Sequence, residues 1–228
     1  MRSDGLAGVG SGRGRSVLVT GGTVRLGLAI AARLRADGWR VLVSSHRAEA
    51  DADLVADLAS PGGAVRLYAD ALRLLGGVPP DALVNNAALF VGDEAAVTAV
   101  NLEAPKKLTM LMAGREAGVG AVVNVLDSQA LSRSPRQSRS SRSYLSSKRE
   151  LHGFTLSSAA TFAATLRVNG VAPGPVLPPT GVHEKAGEML LGRRPTADDV
   201  AGAVAYLLGA EAVTGVVIPV DAGQHLAE

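Results

Sequence analysis

The sequence predicts an α/β protein with one doubly wound parallel sheet, and three observations carry that prediction. Short apolar runs alternate with longer stretches of helical periodicity, the pattern of successive β-α-β units. A glycine-rich turn follows the first apolar run and leads directly into the first helical stretch. The 228 residues suffice for one domain with a substantial core, and no internal repeat or linker divides them.

In chain order, Ser16–Thr20 (SVLVT) reads as a buried first strand. Glycines follow, then Leu26, Ile30 and Leu34 share one helical face, with Gly38 as the stop. Residues 40–44 give a second strand, 65–68 a third and 82–84 a fourth. Residues 93–117 read as one long helix, 121–126 as a strand, 144–165 as a helix and 167–171 as another strand. Thr196 with Asp199 has the spacing of a capping box opening a helix to Leu208, and 215–220 closes the sheet. These elements predict a single Rossmann-type domain over residues 16–228. Residues 1–15, rich in Gly, Arg and Ser and without an apolar segment, read as a disordered leader and not a secretory signal.

Composition narrows the function. Hydrophobic residues make up 47% of the chain, yet no run approaches the roughly 18 apolar residues of a membrane span. There is no cysteine, which removes disulfides, thiolate catalysis and cysteine-held metals and suits a cytoplasmic protein. His46, His152, His183 and His225 lack ligand spacing, so no metal is expected. A net charge of +2 and 3% aromatic residues supply neither the field nor the stacking platform of a nucleic-acid binder. A small-molecule site remains. Arg133, Arg136, Arg139 and Arg142 punctuate the loop 132–143, which reads as a solvated insertion or as an attractor for a polyanionic substrate tail.

The turn at 20–27 (TGGTVRLG) joins the first strand to the first helix. Glycine lets the backbone turn tightly and approach a pyrophosphate at the positive end of the helix dipole. A carboxylate at the tip of the second strand would accept from a ribose 2′-OH, but this strand ends Ser44-Ser45-His46-Arg47. Guanidinium binds a phosphate bidentately and stays charged at physiological pH. His46 and Arg47 therefore read as a clamp for the 2′-phosphate of NADPH/NADP.

These residues belong to an ordered set. TGGTVRLG at 20–27, Asn85-Asn86-Ala87-Ala88, Asn101, Tyr144-Leu-Ser-Ser-Lys148, Arg167-Val-Asn169-Gly and Pro173-Gly174 together resemble the short-chain dehydrogenase/reductase family over nearly the whole chain. The resemblance implies that Gly21, Arg25, Leu26, Gly27, Asn86 and Ala87 line the cofactor. It further implies that Asp70 contacts the adenine, that Pro173-Gly174 turns beside the nicotinamide, and that Val176 meets its carboxamide. Asn101 would hold a water that passes protons toward Lys148. A dimer or tetramer packed through the helices 93–117 and 144–165, both rich in apolar residues, is expected as well.

Tyr144 and Lys148 lie one helical turn apart and share a face. A phenol near pKa 10 is a poor neutral-pH catalyst, and a neighbouring ammonium is expected to lower it. Two departures point to a subgroup. Arg25 stands where most members have a second glycine, and Asp127 where most have a catalytic serine. Both resemble pteridine reductases, in which the arginine reaches pterin and phosphates and the aspartate works beside the tyrosine. Phe90 occupies the position where that subgroup stacks an aromatic ring on the pterin, although a phenylalanine just beyond a strand also reads as core packing. A dihydropterin is flat, nitrogen-rich and reduced at a C=N bond, so it needs stacking and a proton donor.

Other positions fit the subgroup less closely. Ala88 and Ala48 each lack an expected hydroxyl, and the lid between 175 and 190 is short. The Asp70–Asn85 interval predicts that the intervening helix is reduced to a turn. The longer spacing from Asp127 to Tyr144 leaves either Asp127 or Ser128 facing the substrate. If Ser128 does, the expectation becomes a carbonyl reductase, for example of 3-oxoacyl carriers. A nucleotide sensor without chemistry is a third reading, against which the intact Tyr144, Lys148 and Asn101 argue.

Overall fold

The computed structural model describes residues 14–48, 51–116, 118–132, 142–176 and 189–226. All but the end of the expected leader, residues 133–141 of the arginine-rich loop and most of the expected lid lie outside the described residues. The strands are β1 (Ser16–Thr20), β2 (Arg40–Ser45), β3 (Leu54–Val55), β4 (Ala82–Asn85), β5 (Gly120–Val125), β6 (Leu166–Pro173) and β7 (Val217–Val220). The helices are α1 (Arg25–Ala36), α2 (Gly63–Leu74), α3 (Glu94–Thr98), α4 (Ala104–Ala113), α5 (Arg142–Thr161) and α6 (Ala197–Gly209). All seven strands pair in parallel, in the order β3-β2-β1-β4-β5-β6-β7.

Strand alternation divides the core into two layers. Val17, Val19, Val41, Val43, Val84 and Val123 face α1 and α6, where Ile30, Leu34, Val204 and Leu207 are fully buried. Leu18, Leu42, Leu83 and Val122 point the other way, onto Leu67 of α2 and Leu108 and Met112 of α4. Parallel strands covered on both faces are hydrophobic at every position, which is why they read as continuous apolar runs. Thr196 accepts from the Asp199 N–H and the Asp199 carboxylate accepts from the Thr196 N–H, the expected capping box at the start of α6.

Several expectations are corrected. Residues 65–68 are not a strand but part of α2, so the segment before β4 is a full helix and not a turn. Ala64, Leu67, Tyr68 and Ala71 are buried while Val65 and Arg66 are exposed, the spacing of a helical face. The third strand is the two-residue β3, too short for periodicity to reveal. Asp70 accordingly lies late in α2, ion-paired with Arg73, and not at a strand tip.

The helix expected over 93–117 is broken into α3, a π-turn over Ala99–Glu103, and α4. Pro105 has no N–H to give the Asn101 carbonyl, so a regular ladder cannot run through this point. Such wide turns are frequent at functional sites. Asp93 caps α3, its carboxylate accepting from the N–H groups of Ala95 and Ala96. Among the described residues no helix is long and apolar enough to cross a membrane.

Candidate active site

The strand order reverses between β1 and β4, and ligands of open parallel sheets bind beyond the strand ends at such a point. The two ends are laced together here. Thr20 Oγ1 accepts from the N–H groups of Asn86 and Ala87, each at 3.0 Å. Asn86 Nδ2 donates back to the carbonyls of Thr20 and Gly21, also at 3.0 Å. Gly21 has φ +63°. A Cβ at Gly27 would fall 2.0 Å from the Gly21 carbonyl oxygen, so only glycine fits.

Arg25 opens α1, exposed, at φ +51°, a left-handed conformation that disfavours any side chain. No side chain caps this end of α1 and no acidic residue occupies its first turn, leaving its amides suited to an anion. The Gly22 N–H donates to the Ser44 carbonyl at 3.2 Å, which holds the tip of β2 against the glycine turn. There His46 and Arg47 are exposed side by side, with Arg47 Nε 3.3 Å from His46 Nε2. Leu26 and Val176, from opposite parts of the chain, pack against the same core layer. Asp57, exposed just beyond β3, takes the strand-tip place expected for Asp70. Sequence reasoning passed over it because β3 itself was not visible.

At the end of β5, Asp127 Oδ2 accepts from the Tyr144 hydroxyl at 3.1 Å, and Oδ1 accepts from the Gln129 N–H at 2.8 Å. Ser128 points elsewhere: it is wholly buried and its hydroxyl donates to Gln224 Oε1 at 3.3 Å. Of the two candidates left open by the sequence, Asp127 contacts the tyrosine. Phe90, 44% exposed, has its ring centroid 4.8 Å from that of Tyr144, tilted by 56°. The loop bearing Phe90 is pinned by Asn101, whose side-chain amide accepts from the Leu89 N–H at 2.7 Å and donates to the Leu89 carbonyl at 2.9 Å. Asn101 also donates to Ser147 Oγ at 3.3 Å. Lys148 Nζ lies 5.7 Å from the centre of the Tyr144 ring and donates to the Val125 carbonyl at 2.7 Å.

The electrostatics depart from the sequence argument. Burial and the Asp127 carboxylate push the Tyr144 phenol well above its ordinary value. Burial likewise raises Asp127, outweighing the Gln129 amide, the Tyr144 hydroxyl and Lys148. Lys148 is lowered to about 8 by its burial, with Asp127 opposing. The Tyr144 phenol thus keeps its proton, and Asp127 beside it binds one more readily than an exposed carboxylate does.

Burying the Lys148 charge costs stability, and the sign is testable. A depressed lysine contributes stability above its unfolded pKa of 10.5 and loses it as pH falls through about 8, a difference of about 3 kcal/mol. Lys148→Met should therefore raise Tm at pH 7, less the lost bond to Val125, and the gain should shrink toward zero above pH 10.5. Thermal denaturation at the two pH values checks this.

The sequence model of the short chain dehydrogenase family matches residues 15–190. Pteridine reductase 1 of Leishmania tarentolae is 30% identical over 280 residues, covering 92% of this chain and 96% of that protein. The crystal structure of FolM alternative dihydrofolate reductase 1 from Brucella canis, complexed with NADP, superposes with a TM-score of 0.82 at 32% identity, covering 94% of this chain and 95% of that one. The ligand-free aldohexose dehydrogenase of Thermoplasma acidophilum superposes equally well, at 0.82, with 25% identity over 95% of this chain and 96% of that one.

Proposed function

The chain belongs to the short-chain dehydrogenase family of oxidoreductases, and within it we propose an NADPH-dependent reductase of a pteridine substrate, a dihydropterin or a dihydrofolate-like molecule. The observation that carries this reading is the contact of Asp127 with Tyr144 beneath the exposed Phe90 ring, with Ser128 turned inward. The similarity to a pteridine reductase and to a FolM alternative dihydrofolate reductase supports it. A carbonyl reductase would be served by a serine at this place, and the Ser128 hydroxyl is committed to Gln224.

The residues present suit NADPH. The turn at Gly21 and Gly27, closed to any Cβ at Gly27, leaves backbone amides and the uncapped start of α1 for a pyrophosphate. His46 and Arg47 would hold the 2′-phosphate, and Asp57 would take the adenine contact expected of Asp70. Asn86, Ala87, Pro173, Gly174 and Val176 would line the nicotinamide half, with Lys148 toward the ribose. Arg25 holds its strained backbone at the mouth between phosphates and substrate, and strain of this kind is retained where a side chain has work to do.

When bound, NADPH supplies the hydride that adds to the carbon of the C=N bond. The chain supplies the proton that the ring nitrogen then takes. Tyr144 O–H, its proton held by burial and by Asp127, presents that proton below Phe90, with the Asp127 carboxyl, raised by burial, hydrogen-bonded beside it. Phe90 covers one face of the flat ring and keeps water from it. Lys148, buried against the Val125 carbonyl with its Nζ 5.7 Å from the Tyr144 ring centre, is placed to help restore the phenol proton. Assembly as a homodimer or homotetramer belongs to the same proposal, supported by Met110 of α4 and Leu156 of α5, exposed at 46% and 43%.

NADPH oxidation with dihydrobiopterin, and in parallel with an acetoacetyl thioester, tests the reading: turnover of the first and little of the second is expected. Turnover of the thioester alone would replace the proposal with a carbonyl reductase. The cofactor has its own test. Wild type should prefer NADPH over NADH by ~1.5–3 kcal/mol, and Arg47→Asp should erase or invert that preference. Equal wild-type affinities, measured by fluorescence titration, would exclude the clamp.

A further inference from the structure

Past β7 the chain reaches back toward the catalytic loop. A short 3-10 turn, Gln224–Leu226, is wound on the buried Asp221. The Asp221 carboxylate accepts from the N–H groups of Gly223 at 3.0 Å and His225 at 2.7 Å, and pairs with His225 Nδ1 at 2.8 Å. Gly174 packs so tightly on this residue that a Cβ there would lie 2.8 Å from the Asp221 Cα. The turn is thereby fixed to the end of β6. From it Gln224 offers Oε1 to the Ser128 hydroxyl at 3.3 Å.

Asp127 has extended backbone, φ −150° and ψ 136°, so it and Ser128 project to opposite sides. Only one of them can face Tyr144. Either could bond the phenol, because a hydroxyl and a carboxyl are both acceptors. The cap of Asp127 on the Gln129 N–H holds the carboxylate at the turn but does not by itself supply the Ser128 hydroxyl with a partner. An acceptor on the inner side does so, and adds to the cap, since a buried hydroxyl without a partner is costly.

We propose that Gln224 is a positioning residue: by holding the Ser128 hydroxyl inward it makes Asp127, and not Ser128, the group that faces Tyr144. The C-terminal turn then selects between a carboxyl and a hydroxyl at the reacting centre, and so selects the substrate class. The consequence for substrate rests on the pteridine reading, whereas the orientation of Asp127 does not.

The test uses the full chain with Gln224→Met, Ser128→Ala and the two combined. Gln224→Met keeps the volume and removes the acceptor, so a merely space-filling role would leave it silent. The first readout needs no substrate: the ¹³C carboxyl titration of Asp127, assigned by its disappearance in Asp127→Asn. The groups that act on that carboxyl are the Gln129 amide and Tyr144 and Lys148 of α5; the charged pair of the C-terminal turn, His225 and Asp221, bonds within itself. In wild type the midpoint should lie above the ordinary carboxylate range, and Gln224→Met should bring it down as the loop turns and water enters. The second readout is turnover. Dihydropterin kcat should fall roughly five- to tenfold in Gln224→Met, with the KM for NADPH unchanged and ketone turnover increased. On the Ser128→Ala background, Gln224→Met should add nothing. An unmoved Asp127 titration in Gln224→Met, or effects that add in full to those of Ser128→Ala, would overturn the proposal. A wild type inert toward dihydropterins would defeat the substrate reading alone, and the titration would still decide the positioning role.

Discussion

Tyr144→Phe is expected to lower turnover by roughly a hundred- to ten-thousandfold while NADPH binds within about twofold of wild type, the range assigned to loss of a positioned general acid. The ring stays, so its packing on Phe90 and its neighbour Lys148 should persist. What disappears is the O–H whose proton is held by burial and by the Asp127 carboxylate. The lost hydrogen bond should also leave Asp127 with one partner fewer. Single-turnover kinetics with prebound NADPH separate this loss from any effect on binding. Near-normal turnover in Tyr144→Phe would mean that the proton comes from another group.

Asp127→Ala should reduce dihydropterin turnover by about a hundredfold, and Asp127→Ser should do so while sparing or improving reduction of a simple ketone. The difference follows from the acceptor. A ring nitrogen takes a proton from a carboxyl group, whereas a ketone oxygen is served by a hydroxyl. The pH dependence has a defined sign. Burial raises Asp127, so its donor form persists above the usual carboxylate range, and dihydropterin turnover should fall as pH rises through that raised pKa. The same raised pKa means that Asp127 contributes stability below its unfolded pKa and loses it as pH rises through the folded one. Asp127→Asn should abolish the pH limb and stabilise the apo-protein at neutral pH. Retention of full dihydropterin activity in Asp127→Ala would contradict the assignment.

The parts of the fold that were legible in the sequence are those where one physical signal dominates. Strands such as Ser16–Thr20 are buried on both faces, and their apolar runs need no partner to be recognised. The Thr196 and Asp199 box announced α6 in the same local way. What failed depended on context. β3 is held by pairing with β2 and by Asp53, whose carboxylate accepts the Val43 N–H at 2.8 Å, and two residues carry no period of their own. Missing it carried the third strand into α2 and took Asp70 with it. The π-turn around Asn101 was hidden because helical periodicity continues across it.

At the site, helical spacing paired Tyr144 with Lys148 and the family resemblance singled out Asn101 and Phe90; the structure sets Phe90 and Lys148 beside the Tyr144 ring and Asn101 under the Phe90 loop. The choice between Asp127 and Ser128 could not be made from spacing. It depends on Gln224, almost a hundred residues away, and on an extended backbone that separates the two side chains. The direction of the Tyr144 pKa was misjudged for a related reason. Lys148 is spent on a backbone carbonyl, while Asp127 and burial act on the phenol directly.

A crystal structure of the chain with NADP and a dihydropterin tests the central claim most directly. The account predicts the pterin ring between Phe90 and the nicotinamide, with the Asp127 carboxyl and the Tyr144 hydroxyl in hydrogen-bond contact with the ring edge and Ser128 still bonded to Gln224. A ring held by the Ser128 hydroxyl, or lying away from both Asp127 and Phe90, would contradict it.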